Sequence, residues 1–220
     1  MQKDELGKYV KGGYLRALDT FSATHCVNEH FLEKLKILGG TYVLPLSVNY
    51  RGIFYNRRMM EEDGYQIPST YAELIHTMQQ IKKARKLPIV FADKDSWTIH
   101  QGWDAIDMSS RGSQDNLFQN VLNGTTVLYE DPIALDSTRK FLEIRQYGQK
   151  QTINTGYDEA VKKFAKGEAY MFLQGNWAYP MIKKINPDID LLFMPFPAYH
   201  ENQAKVVVKI DATLGVSASC

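Results

Sequence analysis

Apolar residues recur along the chain in two alternating patterns, one typical of helices and the other of short strands. From Tyr71 to Ile81 they return every three or four positions, which predicts an amphipathic helix. Short apolar runs typical of strands lie between the helical segments, at 52–55, 88–92, 169–173 and 191–194. Strands that alternate with amphipathic helices predict an α/β fold built in layers.

Helix ends and chain breaks divide this pattern into segments. Thr70 and Glu73 have the spacing of a capping box, in which hydroxyl and carboxylate satisfy free N–H groups of the first turn. Asp131-Pro132 predicts another helix start, because proline is favoured at the first helical position. A polar break at 47–51 and a proline segment at 195–197 are candidate crossings between two lobes.

The segment from 164 to 177 is the most informative part of the chain. A helix ends before Gly167, a short apolar strand follows, and a turn at Gly175 leads to Trp177 at the mouth of the next helix. In open α/β sheets, ligands bind beyond the carboxyl ends of strands, so Trp177 stands where a ligand would meet it. A flat apolar ring beside free backbone amides suits a pyranose sugar. The alternative is an ordinary core tryptophan.

Trp97 repeats this arrangement, because it also follows a strand and a short polar turn at the start of a helix. Two tryptophans in equivalent turns could line one cleft. Asp95, just ahead of Trp97, could accept hydrogen bonds from sugar hydroxyls or could cap the helix. His100 lies one turn beyond Trp97 and is a further candidate for ligand binding.

Composition narrows the classes of function. The net charge is +1, from 26 basic and 25 acidic residues, which argues against a nucleic-acid binder. Nucleophile-elbow, phosphate-loop, zinc-protease and dinucleotide motifs are absent from the sequence. His25, Cys26 and His30 have no spacing that suits a metal site. We therefore expect no metal, no cofactor and no catalysis.

Three segments resemble one protein family. Tyr42-Val-Leu-Pro45 with the later 52–57 segment is similar to its crossing from the first lobe to the second. The 63–74 segment and the 164–177 segment are similar to two further motifs, with Tyr71 replacing a usual tryptophan. The chain thus resembles carbohydrate substrate-binding proteins of ABC importers, in extracellular solute-binding protein family 1, the maltose-binding-protein-like group. The match runs from about Thr41 to Ser219.

This resemblance implies an α/β fold of the type II periplasmic-binding-protein class and a defined function. Such a protein binds a sugar or oligosaccharide between two lobes and delivers it to a membrane permease. It acts at the extracellular face of the bacterial envelope, anchored by a lipid or free in the periplasm. The resemblance places Trp177 against a sugar face and makes Asn49 and Tyr50 hydrogen-bonding candidates at the crossing, where Asn49 could instead be a turn residue. Asn176 is expected to cap a helix and to line the edge of the cleft.

The resemblance also suggests how the chain is divided. We expect 1–49 to be part of the first lobe, 50–195 the second lobe, and 196–220 a hinge crossing with a partial return to the first lobe. Family members begin with a βαβ segment after a signal or lipoprotein leader. We therefore expect this chain to be a fragment centred on the second lobe.

Two other functions remain open from the sequence. A carbohydrate-active enzyme would need two carboxyl groups roughly 5–10 Å apart beside the stacked sugar. Asp93, Asp95 and Glu168 are the nearest carboxylates in sequence to the two tryptophans. A binding protein of the same fold for a non-sugar solute would be favoured by a cluster of arginines or a lone buried acid.

Overall fold

The computed structural model describes residues 3–111, 117–197, 203–206 and 208–219, which fall into two compact units. Unit 1 is formed by Met1–Asn49 and Val208–Cys220, and unit 2 by Tyr50–Val207. The α-helices of the described residues are α1 (Lys3–Lys11), α2 (Glu29–Leu35), α3 (Arg57–Glu62), α4 (Tyr71–Lys83), α5 (Ser96–Arg111), α6 (Leu117–Leu122), α7 (Pro132–Arg145), α8 (Tyr157–Ala165) and α9 (Ala178–Ile185). The strands are β1 (Val43–Pro45), β2 (Val48–Asn49), β3 (Arg51–Asn56), β4 (Leu87–Val90), β5 (Ala169–Gly175), β6 (Leu191–Met194), β7 (Lys209–Ile210) and β8 (Thr213–Gly215).

Unit 1 is small and its sheets are short. β1 pairs with β8 and β2 pairs with β7, both antiparallel. Its core is formed by apolar residues of α1, α2, β1 and the segment between α2 and β1, namely Leu6, Val10, Leu35, Ile37 and Val43. The side chain of Asn28 caps α2 by accepting the His30 N–H at 3.0 Å.

Unit 2 is built on a four-stranded sheet with the order β4-β5-β3-β6. β4 and β5 are parallel, and β3 is antiparallel to both of its neighbours, β5 and β6. Because β4 and β5 run in the same direction, their carboxyl ends meet at one edge of the sheet. The start of β3 lies at that same edge, since Arg51 pairs with Gly175.

Helices cover both faces of this sheet. Alternate strand residues point to opposite faces, so Ile53, Met171 and Leu173 pack toward α4, α5 and α7. Phe54 and Phe172 pack on the other side, in a core that includes residues of α8 and α9. Unit 2 is therefore a layered α/β structure, as the sequence pattern predicts.

The local signals that predicted helix starts are confirmed. The Glu73 N–H donates to Thr70 Oγ1 at 3.2 Å and the Thr70 N–H donates to Glu73 Oε2 at 3.2 Å, which completes the capping box of α4. Asp131 accepts the Ala134 N–H at 2.7 Å, with a proline at the first turn of α7. Both devices satisfy N–H groups that a helix leaves without intrahelical partners.

Two boundaries differ in extent from the sequence pattern. β5 continues through Gln174 to Gly175, two residues beyond the apolar run, because both residues pair with β3. Of the segment after 195, the described residues 196–197 and 203–206 group with unit 2 rather than with unit 1. The identification of the two units as parts of two lobes stays a prediction. Within the part of the chain that the structure describes, no helix combines the length and apolar character needed to cross a bilayer.

Candidate ligand-binding site

The parallel pairing of β4 and β5 brings the strand-to-helix turns that follow these two strands together. Trp97 follows β4 and Trp177 follows β5, and their ring centroids lie 6.2 Å apart with an interplanar angle of 58°. Trp97 is 41% exposed, and Trp177 is half-buried. The two indoles thus form one aromatic surface, here called the tryptophan pair. That a ligand stacks on it stays a prediction.

Gly175 determines where the Trp177 ring lies. A Cβ added to Gly175 would stand 2.1 Å from Cζ3 of Trp177, far inside any real contact distance. The indole therefore folds back over the end of β5 and occupies the space that a side chain at 175 would fill. Glycine inside a strand often marks such a close approach, and this explains why glycine stands two residues before the tryptophan.

An ion pair lies beneath the tryptophan pair. The guanidinium of Arg51, the first residue of β3, pairs with the Asp104 carboxylate on α5. The Arg51 Cζ lies 5.9 Å from the Trp177 ring centroid, within the range of a cation–π contact. Sequence reasoning missed both residues, because 53 positions separate them and only the packing of α5 on the sheet brings them together.

Polar atoms of Trp177, Arg51 and one α5 residue lack hydrogen-bond partners among the described residues. They are Nε1 of Trp177, Nε of Arg51 and Oε1 of Gln101, and all three are buried. Gln101 lies four residues after Trp97 and therefore on the same face of α5. Because the indole N–H makes no hydrogen bond there, packing contacts set the orientation of the Trp177 ring.

An open hollow of about 470 Å³ lies next to Trp97. Its lining combines one aromatic wall with a charged rim, from Lys94, Asp95, Trp97, Gly156, Tyr157, Asp158 and Glu159. The rings of Tyr157 and Trp97 are 4.9 Å apart, so the aromatic surface continues into the hollow. Burial raises the pKa of Tyr157 to about 12, because a buried phenolate loses its hydration. The Tyr157 hydroxyl therefore stays protonated and neutral. Tyr157 was not among the residues predicted from the sequence, because no motif marks it.

Asp95 makes a specific structural contact in this region. Its Oδ2 accepts the Tyr157 N–H at 2.6 Å, at the first residue of α8. The cap residue of α8 is Gly156, which has no side chain to serve this purpose. Asp95 thus supports α8, whereas the sequence offered its side chain as a cap for α5. His100 is exposed on α5. Ligand roles for Asp95 and His100 stay predictions.

Asn176 and Tyr50 extend the β3–β5 pairing by one step. The Tyr50 N–H donates to Oδ1 of Asn176 at 3.0 Å, and the Asn176 N–H donates to the Tyr50 carbonyl at 3.1 Å. The prediction that Asn176 caps a helix is wrong, because Trp177 holds the position before α9 and the Asn176 oxygen accepts from Tyr50 instead. The Tyr50 ring packs edge-on against Phe193 at 5.0 Å. Their ligand roles stay predictions.

Asn49 belongs to unit 1 and is 9% exposed. Its Nδ2 donates to Oδ1 of Asp211 at 3.1 Å, next to the pairing of β2 with β7. Its own Oδ1 is buried and has no partner among the described residues. Asn49 is therefore a strand residue rather than a turn residue, and its ligand role stays a prediction.

Each carboxylate that the sequence offered for an enzyme either has another partner within the protein or lies far from Trp177. Asp93 is buried and pairs with Arg145, and Asp95 accepts the Tyr157 N–H. Glu168 precedes β5, whereas Trp177 follows it, and a seven-residue strand spans roughly 23 Å. These three carboxylates therefore do not form a catalytic pair facing Trp177.

Comparison with known proteins identifies the family. A model of the bacterial extracellular solute-binding proteins matches residues 1–220. The chain belongs to that family. It is a family of solute-binding proteins and not of enzymes.

Relatives of the family are identical to this chain at about a quarter of the aligned positions. The multiple sugar-binding protein of Streptococcus mutans is 24% identical in an alignment 222 positions long, which covers 99% of this chain and 53% of that protein. The melibiose/raffinose/stachyose-binding protein MelE of Bacillus subtilis is 22% identical in an alignment 200 positions long, which covers 88% of this chain and 47% of MelE. The chain thus spans about half the length of these relatives.

Solved structures show the same fold. The solute-binding protein RafE in complex with raffinose superposes with a TM-score of 0.85 at 24% identity, over 99% of this chain and 58% of RafE. A manno-oligosaccharide-specific family member from Bifidobacterium animalis, bound to mannotriose, gives a TM-score of 0.77 at 17% identity, over 99% of this chain and 52% of that one. The fold is that of the type II periplasmic binding proteins.

Proposed function

We propose that the full-length protein is an extracellular receptor that captures a sugar or oligosaccharide and delivers it to an ABC importer. The observation that carries this proposal is the tryptophan pair at the carboxyl edge of the unit 2 sheet. Aromatic faces suit the apolar faces of pyranose rings, and this edge is where ligands of α/β sheets bind. The names of the relatives support the proposal, since they describe binders of melibiose, raffinose, stachyose and multiple sugars.

The site offers apolar contacts to the faces of a sugar ring and polar contacts to its hydroxyl groups. The rings of Trp177 and Trp97 supply apolar contact area, which carries most of the affinity in aromatic anchor sites. Amide and hydroxyl groups near them, such as Gln101 and Tyr157, provide donors and acceptors for sugar hydroxyls. We include Asn49, Tyr50, Asn176, Asp95 and His100 as further candidates for hydroxyl contacts.

The aromatic surface favours an oligosaccharide over a single sugar. Trp177, Trp97 and Tyr157 follow one another at centroid distances of 6.2 and 4.9 Å, and the hollow continues beyond Trp97. A non-sugar solute with a strong negative charge suits the site less well. Arg51 is balanced by Asp104 and so offers no unpaired charge beneath the pair.

The proposal also assigns a location and a partner. A receptor of this kind works at the extracellular face of the envelope, as a surface lipoprotein or in the periplasm, and docks on a membrane permease. We propose that units 1 and 2 belong to the first and second lobes of the receptor, with 50–195 in the second. The family description, which names extracellular solute-binding proteins, supports this location.

Calorimetry on the full-length protein tests the proposal, with melibiose, raffinose, stachyose and mannotriose as ligands. We expect at least one sugar to bind, and Trp177→Ala to weaken it roughly 10- to 100-fold, as for other buried aromatic anchors. Trp103→Phe is the matched control, because Trp103 donates to Thr138 and packs against Phe118, away from the tryptophan pair. If none of the four sugars binds, the sugar assignment fails. If a sugar binds and Trp177→Ala binds it like the wild type, the stacking role of Trp177 fails.

A further inference from the structure

The ion pair beneath the tryptophan pair is almost entirely shielded from solvent. The exposed fractions of the Arg51 and Asp104 side chains are 12% and 2%. Removing two charges from water costs about as much as their attraction returns, so a buried pair adds little stability compared with apolar residues of the same size. Stability alone therefore does not account for a charged pair at this place.

The geometry around Trp177 suggests what the pair does. The indole has Gly175 on one side, Trp97 at 6.2 Å and the Arg51 guanidinium at 5.9 Å. Its N–H has no partner among the described residues, so no hydrogen bond fixes the rotation of the ring. A guanidinium is planar and rigid and is attracted to aromatic faces, so it can hold an indole in one orientation.

Asp104 connects this contact to the second ring. Trp97 and Asp104 lie seven residues apart on α5, which is about two turns and so on one helical face. The ion pair therefore joins the start of β3, which lies under Trp177, to the helix that carries Trp97. Met108, one further turn along this face, also contacts Arg51, with its sulfur 3.9 Å from Nη1.

We propose that Arg51 is a positioning residue for the Trp177 ring, and that Asp104 fixes the Arg51 guanidinium for this purpose. The pair sets the angle of the indole before the ligand arrives, and so reduces the ordering that binding requires. This inference rests on the proposed sugar-binding function for its effect on affinity. Its effect on the ring itself is independent of any ligand.

The test uses the full-length protein and replaces both charges together, as Arg51→Met with Asp104→Leu, so that neither is left buried without its partner. In a background in which phenylalanine replaces every other tryptophan of the protein, Trp97 and Trp103 among them, Trp177 is the only indole, and acrylamide quenching of its fluorescence reports how well the ring is held. We expect quenching to increase about two-fold and sugar affinity, measured with all other tryptophans intact, to fall about ten-fold, while the unliganded melting temperature is unchanged or higher.

A second buried ion pair of unit 2 serves as the control. Arg145 pairs with Asp93, and its other contacts are with Thr152, Phe91 and Phe141, none of which belongs to the tryptophan pair. Arg145→Met with Asp93→Leu should leave both the quenching of Trp177 and the sugar affinity at wild-type values. Arg51→Lys keeps the charge but loses the planar group, and we expect it to behave like the double substitution in the quenching assay.

The outcomes separate this inference from the proposed function. If the Arg51/Asp104 variant binds sugar and is quenched like the wild type, the positioning role is refuted. The same holds if its loss of affinity only follows a loss of melting temperature that the Arg145/Asp93 control shares. If the wild type binds none of the four sugars, the proposed function fails, and the quenching assay still decides whether Arg51 holds the Trp177 ring.

Discussion

Asn176 and Tyr50 are joined by two hydrogen bonds. The Asn176 side-chain oxygen accepts the Tyr50 N–H, and the Asn176 backbone N–H donates to the Tyr50 carbonyl. The contact holds the start of β3 against the turn that carries Trp177. An asparagine side chain here replaces a backbone carbonyl, so the pairing continues where the chain already turns into α9.

We therefore predict that Asn176→Ala lowers the free energy of unfolding by about 1 kcal/mol, because the Tyr50 N–H loses its acceptor. Asn176→Asp keeps an acceptor oxygen and places a negative charge near the start of α9, so it should stay within about 0.5 kcal/mol of the wild type. Urea denaturation followed by circular dichroism measures both. Equal stability of the two variants would mean that this hydrogen bond contributes nothing measurable.

Gly175→Ala should displace the Trp177 ring. Because the new methyl would lie 2.1 Å from the indole, we expect a cost of about 1–3 kcal/mol and a loss of sugar affinity. Gly7→Ala is the control, since a Cβ there meets no atom within 4 Å and alanine favours the helix α1 by about 0.5–1 kcal/mol. Thermal unfolding and calorimetry report both effects. Wild-type affinity in Gly175→Ala would show that ring placement does not govern binding.

Asp95→Ala should destabilise the protein by about 1 kcal/mol, because the first N–H of α8 loses its acceptor. Asp95→Asn retains a side-chain oxygen and should lose less than half of that. Denaturation of the unliganded protein measures how much the cap contributes to the free energy of unfolding. Sugar titration measures whether Asp95 also contributes to sugar affinity. If Asp95→Asn keeps its stability but loses affinity, the carboxylate also contacts the ligand.

Asp131→Asn tests a pH-dependent contribution to stability. The hydrogen bond from Arg111 holds the pKa of the Asp131 carboxyl below its ordinary value. A lowered pKa in the folded state gives stability that is present above the unfolded-state pKa, about 3.9, and is lost as pH falls through the folded-state pKa. We expect Asp131→Asn, which keeps the cap of α7, to cost about 1 kcal/mol at neutral pH.

That cost should shrink steadily as pH falls below about 4, since the wild type also loses its charge there. Denaturant melts at several pH values measure the difference. Glu130→Gln removes an exposed neighbouring charge and should change stability by less than about 0.5 kcal/mol at any pH. A difference for Asp131→Asn that does not vary with pH would contradict the role of Arg111.

The structural features that the sequence predicted correctly are those that depend on residues close together in the chain. The Thr70–Glu73 capping box and the Asp131-Pro132 helix start depend on residues within one turn, and both were confirmed. The four-residue strand β6 was also located from its apolar run. Segment order along the chain was enough to identify the family, because three motifs follow one another in register.

The candidate site needed the structure where distant residues meet. Arg51 lies in a strand and Asp104 in the middle of a helix, and neither carries a local signal of contact with Trp177. Asn176 was misjudged for a related reason. Its position ahead of a helix predicts a cap, but an antiparallel neighbour 126 residues away offers its N–H to the same oxygen. A hydrogen bond with Tyr50, which is distant in the sequence, therefore took the place of the helix-capping contact that the position of Asn176 favours.

The parallel pairing of β4 and β5 has a consequence for how such a surface can change. Neighbouring strands in a sheet keep a separation of about 4.8 Å whatever their side chains are. The interval between the points where the two turns leave β4 and β5 is therefore set by the backbone, whereas local packing places the two rings on those turns. Substitutions along the rim of the hollow, at Lys94, Asp158 or Glu159, can alter which groups are recognised while the spacing of the two turns stays the same.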